Sequence, residues 1–313
     1  MIVDILIIII GIVVVLWGAD RLTDGAVAVA ERMNISQMVI GLTIVAMGTS
    51  MPEFCVSFVS ALKGTPDLAV GNVVGSNIFN TLFIVGCAAA VMPISILKST
   101  VRIDVPWAIL ASVLLIVFCI DRNISYLDAA ILLAAFLAFM FFTLRNAKKE
   151  KDADSAEEEK TAAETPMWKS IMFIVVGLAC LIVGSNIFVD AATRVASSLG
   201  VSEAVIGLTI VACGTSLPEL ATSVVAARKG NSGIAIGNVL GSNVFNILMI
   251  LGITGLICPM QISGLTMVDF AILLGSIVLL WLFSFTKYRV ERWEGFVLMA
   301  VFLAYIVWLV VNV

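Results

Sequence analysis

The sequence predicts an all-α polytopic membrane protein: ten transmembrane helices folded as two inverted five-helix repeats, with helices 2, 3, 7 and 8 interrupted near the centre. Three observations carry that prediction. Of 313 residues, 61% are hydrophobic and only 13% charged, and the mean hydropathy of +1.13 leaves too little polar surface for a water-soluble domain. Apolar segments long enough to cross a hydrocarbon core of about 30 Å recur along the whole chain. The chain also repeats itself: GLTIVAMGTSMPE at 41–53 returns as GLTIVACGTSLPE at 207–219, an offset of 166 residues with eleven of thirteen positions identical.

The spans fall near 2–20, 37–62, 67–92, 104–120, 124–143, 167–187, 203–227, 233–258, 267–285 and 293–311. The first is read as a retained helix and not as a secretory leader, because Asp4 replaces the usual basic start and no small-residue cleavage site follows. The second, third, seventh and eighth are dense in Gly, Ser, Thr and Asn, which suggests broken helices. A first repeat at 1–144 and a second at 167–313 are joined by a charged linker at 145–166. The stretch from Arg145 to Thr165 has no aromatic residue and no EF-hand spacing, so a solvated linker with at most transient helix is expected. If the amino terminus lies outside, fifteen lysines and arginines fall in cytoplasmic connections against three opposite (Lys63, Arg122, Arg194). That bias predicts a multi-pass protein of a cell (inner or plasma) membrane with both termini outside and the linker cytoplasmic.

The same offset carries GNVVGSNIFN (71–80) onto GNVLGSNVFN (237–246), Gly18 onto Gly184 and Asp24 onto Asp190. Each half holds five spans, an odd number, so the second half starts on the opposite side of the membrane from the first. Inverted repeats with broken helices are a plan of secondary transporters, whose ion sites lie near the midplane between the halves.

Composition narrows the chemistry. The chain has no histidine, and its six cysteines lie in or at the ends of apolar segments with no CxxC pair, which argues against disulfides and thiolate metal sites. Any bound metal must use oxygen, so hard cations are the default. Glu53 and Glu219 are the only acids deep within expected spans, and no lysine or arginine shares their depth. An acid near a helix centre costs about 2.5–3.5 kcal/mol on insertion scales, so the missing counter-charge is most simply a mobile cation. Asp24 and Asp190 fall near span ends, where capping or water suffices.

Proline accounts for the break beside each glutamate. Pro52 and Pro218 donate no amide hydrogen and clash with the preceding turn, which frees carbonyls near Gly48 and Gly214. Thr49 and Ser50 lie four and three residues before Glu53, and Thr215 and Ser216 stand likewise before Glu219. Ser76 with Asn80, and Ser242 with Asn246, are spaced i, i+4 and share one helix face each, while Gly71/Gly75 and Gly237/Gly241 allow close backbone approach. Asn72, Asn77, Asn238 and Asn243 point off those faces and serve equally well as braces. Two carboxylates, hydroxyls, amide oxygens and bare carbonyls make an oxygen cage of the kind calcium takes with six to eight ligands.

GTSMPE with GNVVGSNIFN, repeated as GTSLPE with GNVLGSNVFN, resembles the two alpha repeats of the sodium/calcium exchanger family, over nearly the whole chain. The resemblance implies an antiporter exchanging Na+ for Ca2+ by alternating access, not an enzyme, with those transported ions in place of any cofactor. Glu53 and Glu219 would be the central calcium ligands, with Thr49, Ser50, Thr215 and Ser216 beside them. Ser76, Asn80, Ser242 and Asn246 would complete the sodium and calcium sites, and the carbonyls of Ala46 and Ala212 would serve flanking sodium ions. The proton-exchanging branch favours GNxxE, where this chain has Gly75 and Gly241, and the potassium-dependent branch has aspartate where this chain has Asn246. A calcium/proton antiporter stays as the nearest alternative, with a passive cation channel behind it. The expected surroundings are lipid bilayer; no nucleic acid or obligatory protein partner is implied.

Overall fold

The computed structural model describes residues 2–154, 166–199, 212–262 and 264–312. Its helices are α1 (Ile2–Met33), α2 (Gln37–Thr49), α3 (Met51–Leu62), α4 (Pro66–Val91), α5 (Thr100–Phe118), α6 (Tyr126–Asp154) and α7 (Met167–Ser198). The chain continues through α8 (Ala212–Thr215), α9 (Leu217–Arg228), α10 (Ser232–Ile257), α11 (Met267–Phe285) and α12 (Arg292–Asn312). Among the described residues eight helices are long and apolar enough to cross a membrane, and α2 with α3, bent by 47°, makes a ninth. The expected seventh span, 203–227, begins outside the described residues and is seen from Ala212 onward.

Turn chemistry sets the helix ends. Asn34, with φ of 54°, closes α1 in the left-handed region, while the Ile35 amide reaches back to the Ala30 carbonyl at 3.0 Å. Gly64 (φ 76°) ends α3 in the same way, and Gly230 (φ 80°), its equivalent 166 residues on, ends α9. Pro66, which has no amide hydrogen to leave unpaired, then opens α4.

The interruptions differ from expectation in helices 3 and 8. Both α4 and α10 run unbroken, because no proline follows Pro66 in the one and none occurs in the other, so no backbone donor is missing. Each instead widens into a π-helical turn, at Phe79–Ile84 and Phe245–Ile250, which carries Asn80 or Asn246. The breaks at the proline motifs are present, at Ser50 between α2 and α3 and at Ser216 between α8 and α9. Three helices also overrun their expected ends: α1 to Met33, α7 to Ser198, and α6 ten residues into the linker, where Ala, Lys and Glu favour helix. The remaining linker residues, 155–165, lie outside the described part.

α1 and α7, 32 residues each, cross face to face. A Cβ added at Gly11 would stand 3.1 Å from the Gly184 carbonyl oxygen, at Gly18 2.9 Å from that of Gly177, and at Gly25 2.7 Å from that of Ser170. Partner numbers fall as these numbers rise, so the two helices are antiparallel. Under the 166-residue offset Gly11 corresponds to Gly177 and Gly18 to Gly184, so the first two contacts are each other's equivalents with the halves exchanged. Helices that are equivalent yet antiparallel are what inversion requires.

Two short ladders repeat the point. The strands β1 (Ile94–Ser95) and β4 (Arg289–Val290) pair antiparallel, with Ile94 opposite Val290, and β2 (Asn123–Ile124) pairs β3 (Met260–Gln261), with Ile124 opposite Met260. β1 and β3 are equivalents, as are β2 and β4, so each ladder exchanges one half's strand for the other's. The central layer is α4 and α10: 78% of the apolar window of each is buried, against 22–39% for the other straight spans. α1, α7 and the outer helices turn side chains such as Val3, Leu6, Val13, Ile171, Val175 and Val183 outward, as a lipid-facing shell would.

Candidate ion-binding site

The breaks at Ser50 and Ser216 bring each serine to the glutamate in the first turn of the helix after the other break. These are Glu53 in α3 and Glu219 in α9, and both are 0% exposed. Their serines are exchanged between repeats: Ser216 Oγ donates to Glu53 Oε1 at 2.7 Å and Ser50 Oγ donates to Glu219 Oε1 at 2.8 Å. The two carboxyl groups therefore lie buried at one junction between the repeats. No ion pair among the described residues includes either glutamate; Lys229, at the end of α9, pairs with Asp24 inside α1, and Arg194 of α7 pairs with Asp4 at the start of α1.

The facing wall comes from the central helices. Ser76 Oγ lies 3.3 Å from Ser216 Oγ, and Ser76, Asn80, Ser242 and Asn246 are all buried. Among the described residues five oxygens of this set receive no hydrogen bond: Glu53 Oε2, Glu219 Oε2, Asn80 Oδ1, Ser242 Oγ and Asn246 Oδ1. Buried acceptors without donors are costly in a low-dielectric interior, and that cost is removed by a cation that takes oxygen ligands. The donor set, all oxygen and two of it anionic, suits a hard cation.

The other expected residues fall close by with different duties. Thr49 Oγ1 donates to Asn238 Oδ1 at 3.0 Å and lies 3.3 Å from the Ala46 carbonyl, which also accepts the Ser50 amide at 3.0 Å. Thr215 ends α8, opposite the break from Glu219, and Ala212 opens that helix. Gly48 packs against Leu178 of α7, while the bend itself falls at Ser50.

Sequence spacing left the roles of the second asparagine set open. Asn72 Nδ2 donates to the Glu53 carbonyl (3.3 Å) and to Ser57 Oγ (3.0 Å), and Asn238 Nδ2 donates to the Glu219 carbonyl (3.3 Å) and to Ser223 Oγ (3.0 Å). They hold the first turns of α3 and α9 onto α4 and α10. Ser57 and Ser223 were not singled out by sequence; their signal was recurrence at the 166-residue offset, four residues after each glutamate.

A buried acidic oxygen pocket at the contact between two inverted repeats is the architecture of an ion-coupled membrane transporter. Comparison with known proteins agrees. The sodium/calcium exchanger protein family model matches residues 3–145 and 169–311. The protein CaxA from Alkalimonas amylolytica is 38% identical over 97% of this chain and 98% of its own. The sodium/calcium exchanger MaX1 from Methanosarcina acetivorans is 32% identical over 97% and 98%. The solved structure of the sodium-calcium exchanger NCX_Mj superposes with a TM-score of 0.85 at 30% identity, covering 98% of each chain. The chain belongs to the sodium/calcium exchanger family.

Proposed function

We propose that this chain exchanges Na+ for Ca2+ by alternating access, with the ions held by Glu53 and Glu219 and by Thr49, Ser50, Ser76, Asn80, Thr215, Ser216, Ser242 and Asn246. The carbonyls of Ala46 and Ala212 flank the set. The observation that carries this reading is the pair of fully buried glutamates, each anchored by the other repeat's serine and each with one oxygen left without a donor. Two negative charges balance one Ca2+ or two Na+. An empty sealed pocket leaves both charges uncompensated, so the occluded step is open chiefly to the loaded protein, and exchange becomes obligatory.

The orientation follows from lysine and arginine. Contacts between connections sort into two sets, with residues 94–95 beside 289–290 and Ser232 on one side, and 123–124 beside 260–261 and Asp67 beside Gly264 on the other. These are the two sets the charge count distinguishes, and the richer one is assigned to the cytoplasm of a cell membrane. Radiolabelled calcium uptake into proteoliposomes under imposed sodium, potassium or proton gradients tests the proposal. Uptake driven by outward sodium and abolished by Glu53→Gln or Glu219→Gln supports it; normal transport in either variant refutes the assigned role. Calcium flux driven by a pH gradient without sodium would assign proton coupling in its place.

A further inference from the structure

The asparagines of α4 and α10 form a chain of amides that does not obey the two-fold symmetry around it. Asn77 Nδ2 donates to the Asn243 backbone carbonyl at 3.1 Å. A carbonyl can only accept, so this bond fixes which end of the Asn77 amide points which way. The Asn77 oxygen is left facing Asn246, whose Nδ2 donates to it at 3.1 Å. Asn246 must then turn its own oxygen away from Asn77, and that Oδ1 is one of the buried oxygens with no donor among the described residues. Asn77 is 1% exposed and Asn246 0%, so no solvent competes for these bonds.

The other repeat lacks this lock. By symmetry Asn243 would steer Asn80, but Asn243 Nδ2 donates instead to Thr81 Oγ1 at 2.7 Å, and the Thr81 hydroxyl donates to the Asn77 carbonyl at 2.9 Å. The equivalent of Thr81 is Ile247, which has no hydroxyl, so the arrangement exists once. Neither amide atom of Asn80 has a partner among the described residues.

We propose that Asn77 is a positioning residue for the ion site: it orients the Asn246 amide so that an oxygen, and not the NH2 group, faces the transported cation, while Asn80 is left free to turn. This rests on the reading of Asn246 as an ion ligand. It assigns different duties to two amides that the repeats make look equivalent, one preset and one adaptable.

The test is equilibrium binding to the purified full chain, reading the calcium Kd and the sodium concentration that displaces half of the bound calcium. Asn77→Leu frees the Asn246 amide to rotate, and one of the two constants should rise about three- to tenfold, the scale of one hydrogen bond. Asn77→Ser, too short to reach Asn246 and less disruptive to the fold, should do the same. The deciding comparison is Asn246→Asp, whose carboxylate presents an oxygen in either orientation. In that background the Asn77 substitutions should leave both constants unchanged or lower them, because no amide orientation remains to be lost and the Asn77 oxygen would face a carboxylate oxygen, which only accepts. Equal shifts in the two backgrounds, or no shift in either, would overturn the proposal. Binding is read without transport, so absence of sodium-driven uptake would refute the exchange reading alone, and the Kd comparison would still decide the role of Asn77.

Discussion

The crossing of α1 and α7 gives a prediction whose size follows from the structure. A Cβ placed on Gly177 would stand 2.7 Å from the Leu22 amide nitrogen, 2.8 Å from the Gly18 carbonyl oxygen and 2.9 Å from Leu22 Cα. All three are backbone atoms of α1, so no side chain can rotate to make room and the helix itself must retreat. Overpacking of this kind costs about 1–3 kcal/mol. Replacing glycine by alanine in a helix returns at most about 1 kcal/mol, so Gly177→Ala should be destabilised by roughly 0–2 kcal/mol net. Gly275→Ala on α11 is the control, since a Cβ there meets nothing within 4 Å and keeps the helical gain alone. Thermal unfolding of both variants in one detergent and at one ion concentration should place Gly177→Ala below Gly275→Ala by about 1–3 kcal/mol, the overpacking cost. Equal or reversed stabilities would show that the two helices do not meet as closely as this crossing requires.

Three other expectations follow from the same geometry. Ser50→Ala and Ser216→Ala each delete a hydroxyl that holds the other repeat's glutamate, so each should raise the KM for calcium uptake about tenfold, and by similar factors because the bonds are equivalent; a normal KM in either would remove the serine exchange from the site. In a cysteine-free background, single cysteines replacing Lys98 and Arg122 should react with an impermeant maleimide from opposite faces of the membrane, and labelling from one face would break the assigned topology. Vesicles loaded with labelled calcium should release it into medium containing sodium or calcium and retain it in medium containing neither, whereas comparable release without a counter-ion would indicate a pore.

Much of the fold was legible because the chain states it twice. Duplicated motifs at a fixed offset, with five spans in each half, imply inversion before any coordinate is known, and the exchanged contacts of Gly11 with Gly184 and of β1 with β4 are its consequences. Continuity of α4 and α10 was not legible. Gly, Ser and Asn at that density read as a break, but with no proline inside either helix every backbone donor is kept, and a π-helical turn absorbs the irregularity. The overrun of α1 escaped for a different reason. Asp20, Arg21 and Asp24 look like the start of a connection, yet they pair with one another and with Lys229 at the end of α9, which lets the helix continue past them.

The site divides along the same line. Acids without counter-charge and hydroxyls three and four residues before them stand out in one dimension, because their cost in hydrocarbon has no local remedy. What spacing within a repeat cannot display is a bond between repeats, and the bonds that matter most here are of that kind. Glu53 is completed by Ser216 and Glu219 by Ser50, so neither half holds a finished site. Thr81 was hidden by the motif itself, since it lies one residue beyond the matched stretch that ends at Asn80, at a position where the repeats disagree. The arrangement has a mechanical consequence. Because each carboxylate is gripped from the opposite repeat, displacing one half against the other would strain both serine bonds together, and under the proposed exchange reading an ion held between the carboxylates would oppose that displacement. Occupancy of the pocket and the relative position of the repeats are then two readings of one equilibrium, and that is the physical condition for coupling ion binding to a change of access.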